Sequence, residues 1–144
     1  MSKVTSQSNI ESSHQFAIRV YYEDTDAGGI VYYANYLKFF ERARTEWLRK
    51  IGINQEIFLQ QRLGFVVRKV EMDNIASAKL DDLLKVSSSI VTLKRASLVF
   101  QQQITNQAMR VLCTATIRIA CVDFSQNKPC AIPELILGAF KRVS

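Results

Sequence analysis

The chain has 144 residues, of which 48% are hydrophobic and 22% charged, and its formal net charge is +6. That length suits one domain able to bury a core, and no window approaches the run of about 20 apolar residues that a spanning helix needs. The Lys and Arg surplus is scattered and comes without zinc-finger spacing, a Gly-Lys-Ser/Thr phosphate loop or an aromatic RNA-binding signature, so a small polyanion suits the charge as well as nucleic acid does.

In chain order, residues 1–14 are polar and Ser-rich and lack the apolar core of a signal peptide. They are expected to form a tail before a single domain spanning 15–144, in a cytoplasmic protein. "FAIRVYY" alternates Phe16, Ile18, Val20 and Tyr22 on one face and predicts a half-buried strand. From Tyr32 to Ile51 the period lengthens. Tyr33, Leu37, Phe40, Trp47, Leu48 and Ile51 recur at helical spacing, with Lys38, Arg42, Arg49 and Lys50 mostly off that stripe. Gly52 is the expected helix stop, and Asn54 the expected N-cap of a shorter helix, "NQEIFLQQRL".

Beyond Gly64 the pattern is extended: "FVVRKVEMDNI", "LLKVSSSIVTLK", "SLVFQQQIT" and "AMRVLCTATIRIACVDF". In the last, Met109, Val111, Cys113, Ala115, Ile117, Ile119 and Cys121 share one parity, and Arg110, Thr114, Thr116 and Arg118 the other. "TNQA" and Arg95-Ala96 predict tight turns, while "AKLDD" and "NKPCAIP" read as loops. The class is α+β, with a curved antiparallel sheet of about five strands wrapped around one long central helix. Cys113, Cys121 and Cys130 read as buried thiols, Cys113 and Cys121 lying too far apart along one strand to bridge. With His14 as the only histidine, at the edge of the tail, no metal site is expected.

The chemically loaded stretch is "EDTDAGGIVYYANY", where the first strand ends and the helix begins. A helix N-terminus presents unpaired N–H groups and partial positive charge, suited to a developing oxyanion. Asp26 places a carboxylate beside it, and Gly28 and Gly29 let a ligand approach the backbone, a minimal kit for hydrolysing an activated acyl group. Asp, Thr and Gly before a helix also serve as caps, and the local pattern leaves both roles open. Asp24 reads either as a like-charge neighbour that tunes Asp26 or as a solvated or capping acid. Glu41 and Glu46 read as ion-pairing acids beside Arg42, Arg44 and Arg49. Tyr32, Tyr36 and Phe39 read as pocket lining, or else as core or subunit interface.

The run "RVYYEDTDAGGIVYYANYLKFFERARTEWLRKIG" (Arg19–Gly52), with "AKLDDLLKV" from Ala78 and "CVDFSQNKPCAIP" from Cys121, resembles the 4-hydroxybenzoyl-CoA thioesterase family, in particular its YbgC-type acyl-CoA thioesterases. The resemblance implies a hot-dog fold and hydrolysis of an acyl-CoA thioester to free acid and CoA, with no metal or redox cofactor. It places the catalytic carboxylate, nucleophile or general base, on Asp26. The main-chain N–H that polarises the thioester oxygen falls on Tyr33. Gly28 and Gly29 would admit the thioester, and Lys94 and Arg95 are the candidates for the CoA phosphates. It further implies a homodimer or homotetramer with sites between subunits, acyl-carrier protein as a possible partner, and an association with the Tol–Pal envelope system. The alternative is a non-catalytic acyl-CoA or acyl-carrier-protein binding module. Two departures stand out: Tyr33 where most YbgC-type relatives carry His, and Ser77 where relatives often carry Pro.

Overall fold

The computed structural model describes residues 13–144. Within them the order is β1 (His14–Arg19), a 3-10 turn (Tyr22–Asp24), α1 (Asn35–Lys50), α2 (Gln55–Gln60), β2 (Leu63–Asn74), β3 (Leu83–Leu93), β4 (Ser97–Thr105), β5 (Val111–Asp123), β6 (Lys128–Pro129) and α3 (Glu134–Val143). The long strands form one antiparallel sheet in the order β1-β3-β4-β5-β2, and β6 pairs briefly with Val122 and Asp123 of β5. The expected tail lies outside the described residues except for Ser13 and His14, and His14 already opens β1.

The alternation in β5 sets the sheet's two faces. Cys113, Ala115, Ile117, Ile119 and Cys121 are buried, whereas Arg118 is exposed. Register slips by one residue between Val67 and Lys69 of β2 and between Ile90 and Thr92 of β3, and such bulges sharpen strand bending. The bent sheet covers α1 with Leu84, Val86, Leu98, Phe100, Ile104 and Ile117, packed around Phe39, Phe40, Ala43, Trp47 and Leu48 of the helix. The expected fold, a curved sheet on a central helix, is what forms.

Helix ends follow local chemistry. Gly52, at φ +90°, closes α1 by donating to the Arg49 carbonyl, while Ile53 N–H reaches the Leu48 carbonyl, a Schellman stop. Asn54 Oδ1 accepts the N–H groups of Glu56 and Ile57 and caps α2. The start and the stripe of α1 differ from expectation. The helix begins at Asn35, and Tyr33 and Leu37 stay exposed while Tyr36, Phe39 and Ala43 are buried. The apolar period there is compatible with either face, and the sheet selects the one that fills its concavity. Met109 is likewise exposed, at φ +63° in the turn before β5. Helix α3 went unread, although its Ala139 and Phe140 join the core.

Two expectations about polar groups also change. Glu46 does pair with Arg49, but Glu41 accepts the Thr45 hydroxyl instead. Arg44, far from pairing with a helix acid, is buried and donates to Gln102 of β4. The sulfurs of Cys121 and Cys130 stand 3.4 Å apart as free thiols, because Cys130 follows β6 directly opposite Cys121. Burial pushes the Cys121 thiol up to about 12.

His14 lies flat on Trp47, with ring centroids 5.7 Å apart and planes 6° apart, and its buried Nδ1 has no hydrogen-bond partner among the described residues. Burial first, then Lys50, lowers its pKa below the ordinary 6.5, with Glu46 opposing. The unfolded chain therefore takes up the proton before the folded one does, and folding stability is lost as pH falls below about 6.5. Urea midpoints at pH 5.5 and pH 7.5 are expected to differ less in His14→Phe than in the wild type. An equal difference would show that His14 carries none of this dependence.

Candidate active site

Past β1, the chain is pinned to the loop before β3, where the Val20 N–H donates to the Asp82 carbonyl and the Val20 carbonyl accepts the Asp81 N–H. After the 3-10 turn, Thr25 bridges to Val31, and Asp26 N–H donates to the Ile30 carbonyl at 2.9 Å. Gly29 N–H returns to the Asp26 carbonyl at 3.1 Å, with Gly29 at φ +79°, the left-handed position of a three-residue hairpin. Gly28 has a different task. Its N–H donates to Asp26 Oδ1 at 2.8 Å, and a Cβ there would sit 3.3 Å from that oxygen. One carboxylate oxygen is thus held by the hairpin, while Oδ2 has no partner among the described residues.

The second half of the kit follows directly. Asn35, Tyr36 and Leu37 make i→i+3 bonds to Tyr32, Tyr33 and Ala34, which opens α1 with a tight turn. The main-chain N–H groups of Tyr33 and Ala34 meet no acceptor among the described residues, and Ala34 at the N-cap position supplies no side-chain cap. A cavity of about 260 Å³ joins the two halves. Asp26, Ile30, Val31, Tyr32, Tyr33 and Tyr36 border one side of it, and Asn74 to Ser77, just past β2, the other. The Tyr36 hydroxyl accepts the Ala78 N–H at 3.0 Å and ties helix to wall. Burial raises the Tyr36 pKa, so the phenol stays protonated at neutral pH.

Asp24 is buried, at 6% exposure. Its Oδ1 accepts Asn35 Nδ2 at 2.7 Å and its Oδ2 accepts the Tyr21 N–H at 2.8 Å. Tyr32 and Tyr36 line the cavity, as one of the two expectations had them, whereas Phe39 is wholly core. Lys94 and Arg95 are not brought to Asp26 within the chain. They sit at the β3–β4 hairpin, where Lys94 N–H donates to the Ser97 carbonyl, and the site lies near the opposite end of β3, where Leu83 faces Arg19. Eleven residues of β3 intervene, about 30 Å along the strand. The wall at Asn74–Ala76 was not foreseen, nor was Asn35. Only the β2–β5 pairing, with Ile75 and Ala76 both donating to the Leu112 carbonyl, carries that wall to the helix, and no local signal marks it.

A sequence model of the thioesterase-like superfamily matches residues 20–140, from the end of β1 into α3. The chain belongs to the thioesterase-like superfamily. Within that superfamily it is 46% identical over 132 residues to the acyl-CoA thioesterase YbgC of Haemophilus influenzae, covering 91% of this chain and 96% of that protein. It is 36% identical over 126 residues to the YbgC of Helicobacter pylori, covering 81% and 92%. Among solved superfamily structures, a gentisyl-coenzyme A thioesterase superimposes with a TM-score of 0.80 at 27% identity, covering 88% of this chain and 98% of that one. The DHNA-CoA thioesterase of Staphylococcus aureus, at 22% identity and a TM-score of 0.86 over 91% and 90%, shares the hot-dog fold. No helix among the described residues is long and apolar enough to cross a membrane.

Proposed function

We propose that the protein is an acyl-CoA thioesterase. The observation that carries this reading is the shared cleft, with a carboxylate on one side and helix N–H groups on the other, where Asp26 Oδ2 and the N–H groups of Tyr33 and Ala34 have no partner among the described residues. The printed activities of its YbgC relatives agree with it. Asp26 acts on the thioester carbonyl carbon in one of two ways. As general base it takes a proton from the attacking water; as nucleophile it forms a mixed anhydride that water then opens. In both, the C–S bond breaks, the sulfur leaves with its electron pair and is protonated to CoA thiol, and water's oxygen completes the free acid. The Tyr33 N–H and the dipole of α1 stabilise the oxyanion in between. This role uses main chain only, so a tyrosine side chain there is compatible with it. Gly28 keeps its hydrogen bond to Asp26, and with Gly29 leaves backbone-level access for the thioester.

The protein works in the cytoplasm as a homodimer or homotetramer. Tyr21, Tyr22, Ile30, Tyr32, Tyr33 and Leu37 are exposed apolar residues around the cleft, a surface that a second copy would cover. In such an assembly Lys94 and Arg95 serve the CoA phosphates of a neighbouring copy's site. The second reading, a non-catalytic acyl-CoA or acyl-carrier-protein binding module linked to the Tol–Pal system, draws on the exposure of Asp26 in the single chain. Free-thiol release from short, long and aromatic acyl-CoAs and from acyl-carrier protein separates the two. Turnover names the substrate class, and binding without turnover on every member would favour the module.

A further inference from the structure

We infer that Asp24 and Asn35 are positioning residues that set the spacing between the Asp26 carboxylate and the Tyr33 N–H, an inference that rests on the thioesterase reading. Asp24 lies two residues before Asp26, and Asn35 two residues after Tyr33. Among the described residues, the one buried side-chain hydrogen bond between the two flanks is the 2.7 Å bond from Asn35 Nδ2 to Asp24 Oδ1. Asp24 does more than pair with Asn35. Its second oxygen accepts the Tyr21 N–H at 2.8 Å, its main-chain N–H donates to the Tyr21 carbonyl at 3.0 Å, and its carbonyl accepts the Tyr32 N–H at 3.2 Å. One buried residue therefore ties together the end of β1, the hairpin and the first turn of α1.

Such a bond is strong for two reasons. It is charge-assisted, and it sits where water does not compete, with Asp24 at 6% and Asn35 at 9% exposure. Without it, the bonds among the described residues that join the two flanks across the site would be the Thr25–Val31 bridge and the Asp24–Tyr32 backbone bond. A displacement of about 1 Å between reacting groups costs on the order of 100-fold in rate, even when substrate still binds. The effect is thus expected in kcat, with KM nearly unmoved, because neither side chain lines the cavity.

The test is an exchange of the two side chains. Asn35→Asp alone sets two carboxylates at hydrogen-bond distance and should lower kcat about 100-fold. The double variant Asp24→Asn/Asn35→Asp restores both bonds. The new carboxamide at position 24 accepts from Tyr21 N–H through its oxygen and donates to the new carboxylate through its nitrogen. Its kcat should return to within about fivefold of wild type, with KM and the pH–rate profile in their wild-type positions. Asn35→Ala, assayed well below its own melting temperature, should lose kcat about tenfold while KM holds. The inference fails if the exchange is no faster than Asn35→Asp, if Asn35→Ala keeps full kcat, or if the losses fall on KM. A shifted pH–rate profile in the exchange would also overturn it, by showing that Asp24 acts through its charge. Wild type and Asp26→Asn run alongside. If wild type does not turn over thioesters, the thioesterase reading itself fails, and that outcome is distinct from the other four.

Discussion

Asp26→Asn should lower kcat for thioester hydrolysis by about 1000-fold or more, with KM and CoA affinity close to wild type. General-base contributions span about 10²–10⁴-fold, and a nucleophile lost outright costs at least as much. The substitution is chosen for what it keeps. The carboxamide oxygen can still accept the Gly28 N–H, and the backbone bonds from Asp26 to Ile30 and from Gly29 to Asp26 do not involve the side chain. The hairpin therefore stays closed, and the loss falls on the chemistry. Thiol release under saturating substrate, beside calorimetric titration with CoA, would check both halves. Turnover unchanged in the variant would remove Asp26 from the reaction, and CoA binding lost with turnover would make it a ligand-holding residue.

Gln102→Leu should be the most damaging polar-to-apolar change in the core, costing about 2–4 kcal/mol, which for a chain this size lowers the melting temperature by about 5–15 °C. Arg44 is buried at 6% exposure, and its acceptor among the described residues is Gln102 Oε1 at 2.9 Å. Burial drives the Arg44 pKa down to about 10, only partly offset by Glu41. The fold therefore keeps the guanidinium charged against its own desolvation, which makes it dependent on its one acceptor among the described residues. Gln102 also donates to the Phe40 carbonyl at 3.0 Å and the Ser88 hydroxyl at 2.8 Å, so it joins helix, β3 and β4. Leucine leaves three groups without that partner, one of them a cation. The double variant Arg44→Met/Gln102→Leu removes the cation as well and should recover most of the loss, since apolar replacement of both partners is often neutral or better. Chemical denaturation of the three proteins decides it. Equal losses in the single and double variants would mean the cost comes from Phe40 and Ser88, not from Arg44.

Much of this architecture was legible in the residues. The β5 alternation from Cys113 to Ile119, the Gly52 stop and the Asn54 cap each report local chemistry, and each stands where it was read. So does the order of strand, helix and four strands, because period and turn residues mark those elements independently of one another. What escaped was set by long-range pairing. The helical period from Tyr32 to Ile51 accommodates more than one apolar face, and the sheet decides that Tyr36 and Ala43 go in while Tyr33 and Leu37 stay out. Arg44 falls on the apolar stripe itself, four residues after Phe40 and three before Trp47, but the helix period names no partner for a cation there, and it is Gln102, facing it from β4, that lets it be buried. At the site the division is similar. Asp26, Gly28, Gly29 and Tyr33 lie in one short stretch with a recognisable pattern, whereas the wall at Asn74–Ser77 arrives through the β2–β5 register. The two possible roles of Asp24 could be separated only by its burial and its bond to Asn35.

The pairing scheme also carries a history of assembly. β3, β4 and β5 are joined by short hairpins, with Leu93 opposite Leu98 and Thr105 opposite Val111, whereas β1 must find β3 across the span from His14 to Ser88. Closing long loops is slow, so the three-strand meander should form early, and β1 with its attached hairpin should dock late. The segment bearing Asp26 precedes α1 and β2, yet the partners that seat it, Asp82 for Val20 and Ala78 for Val31, come after both. During synthesis the hairpin that carries Asp26 is thus made before the segments that fix it in place.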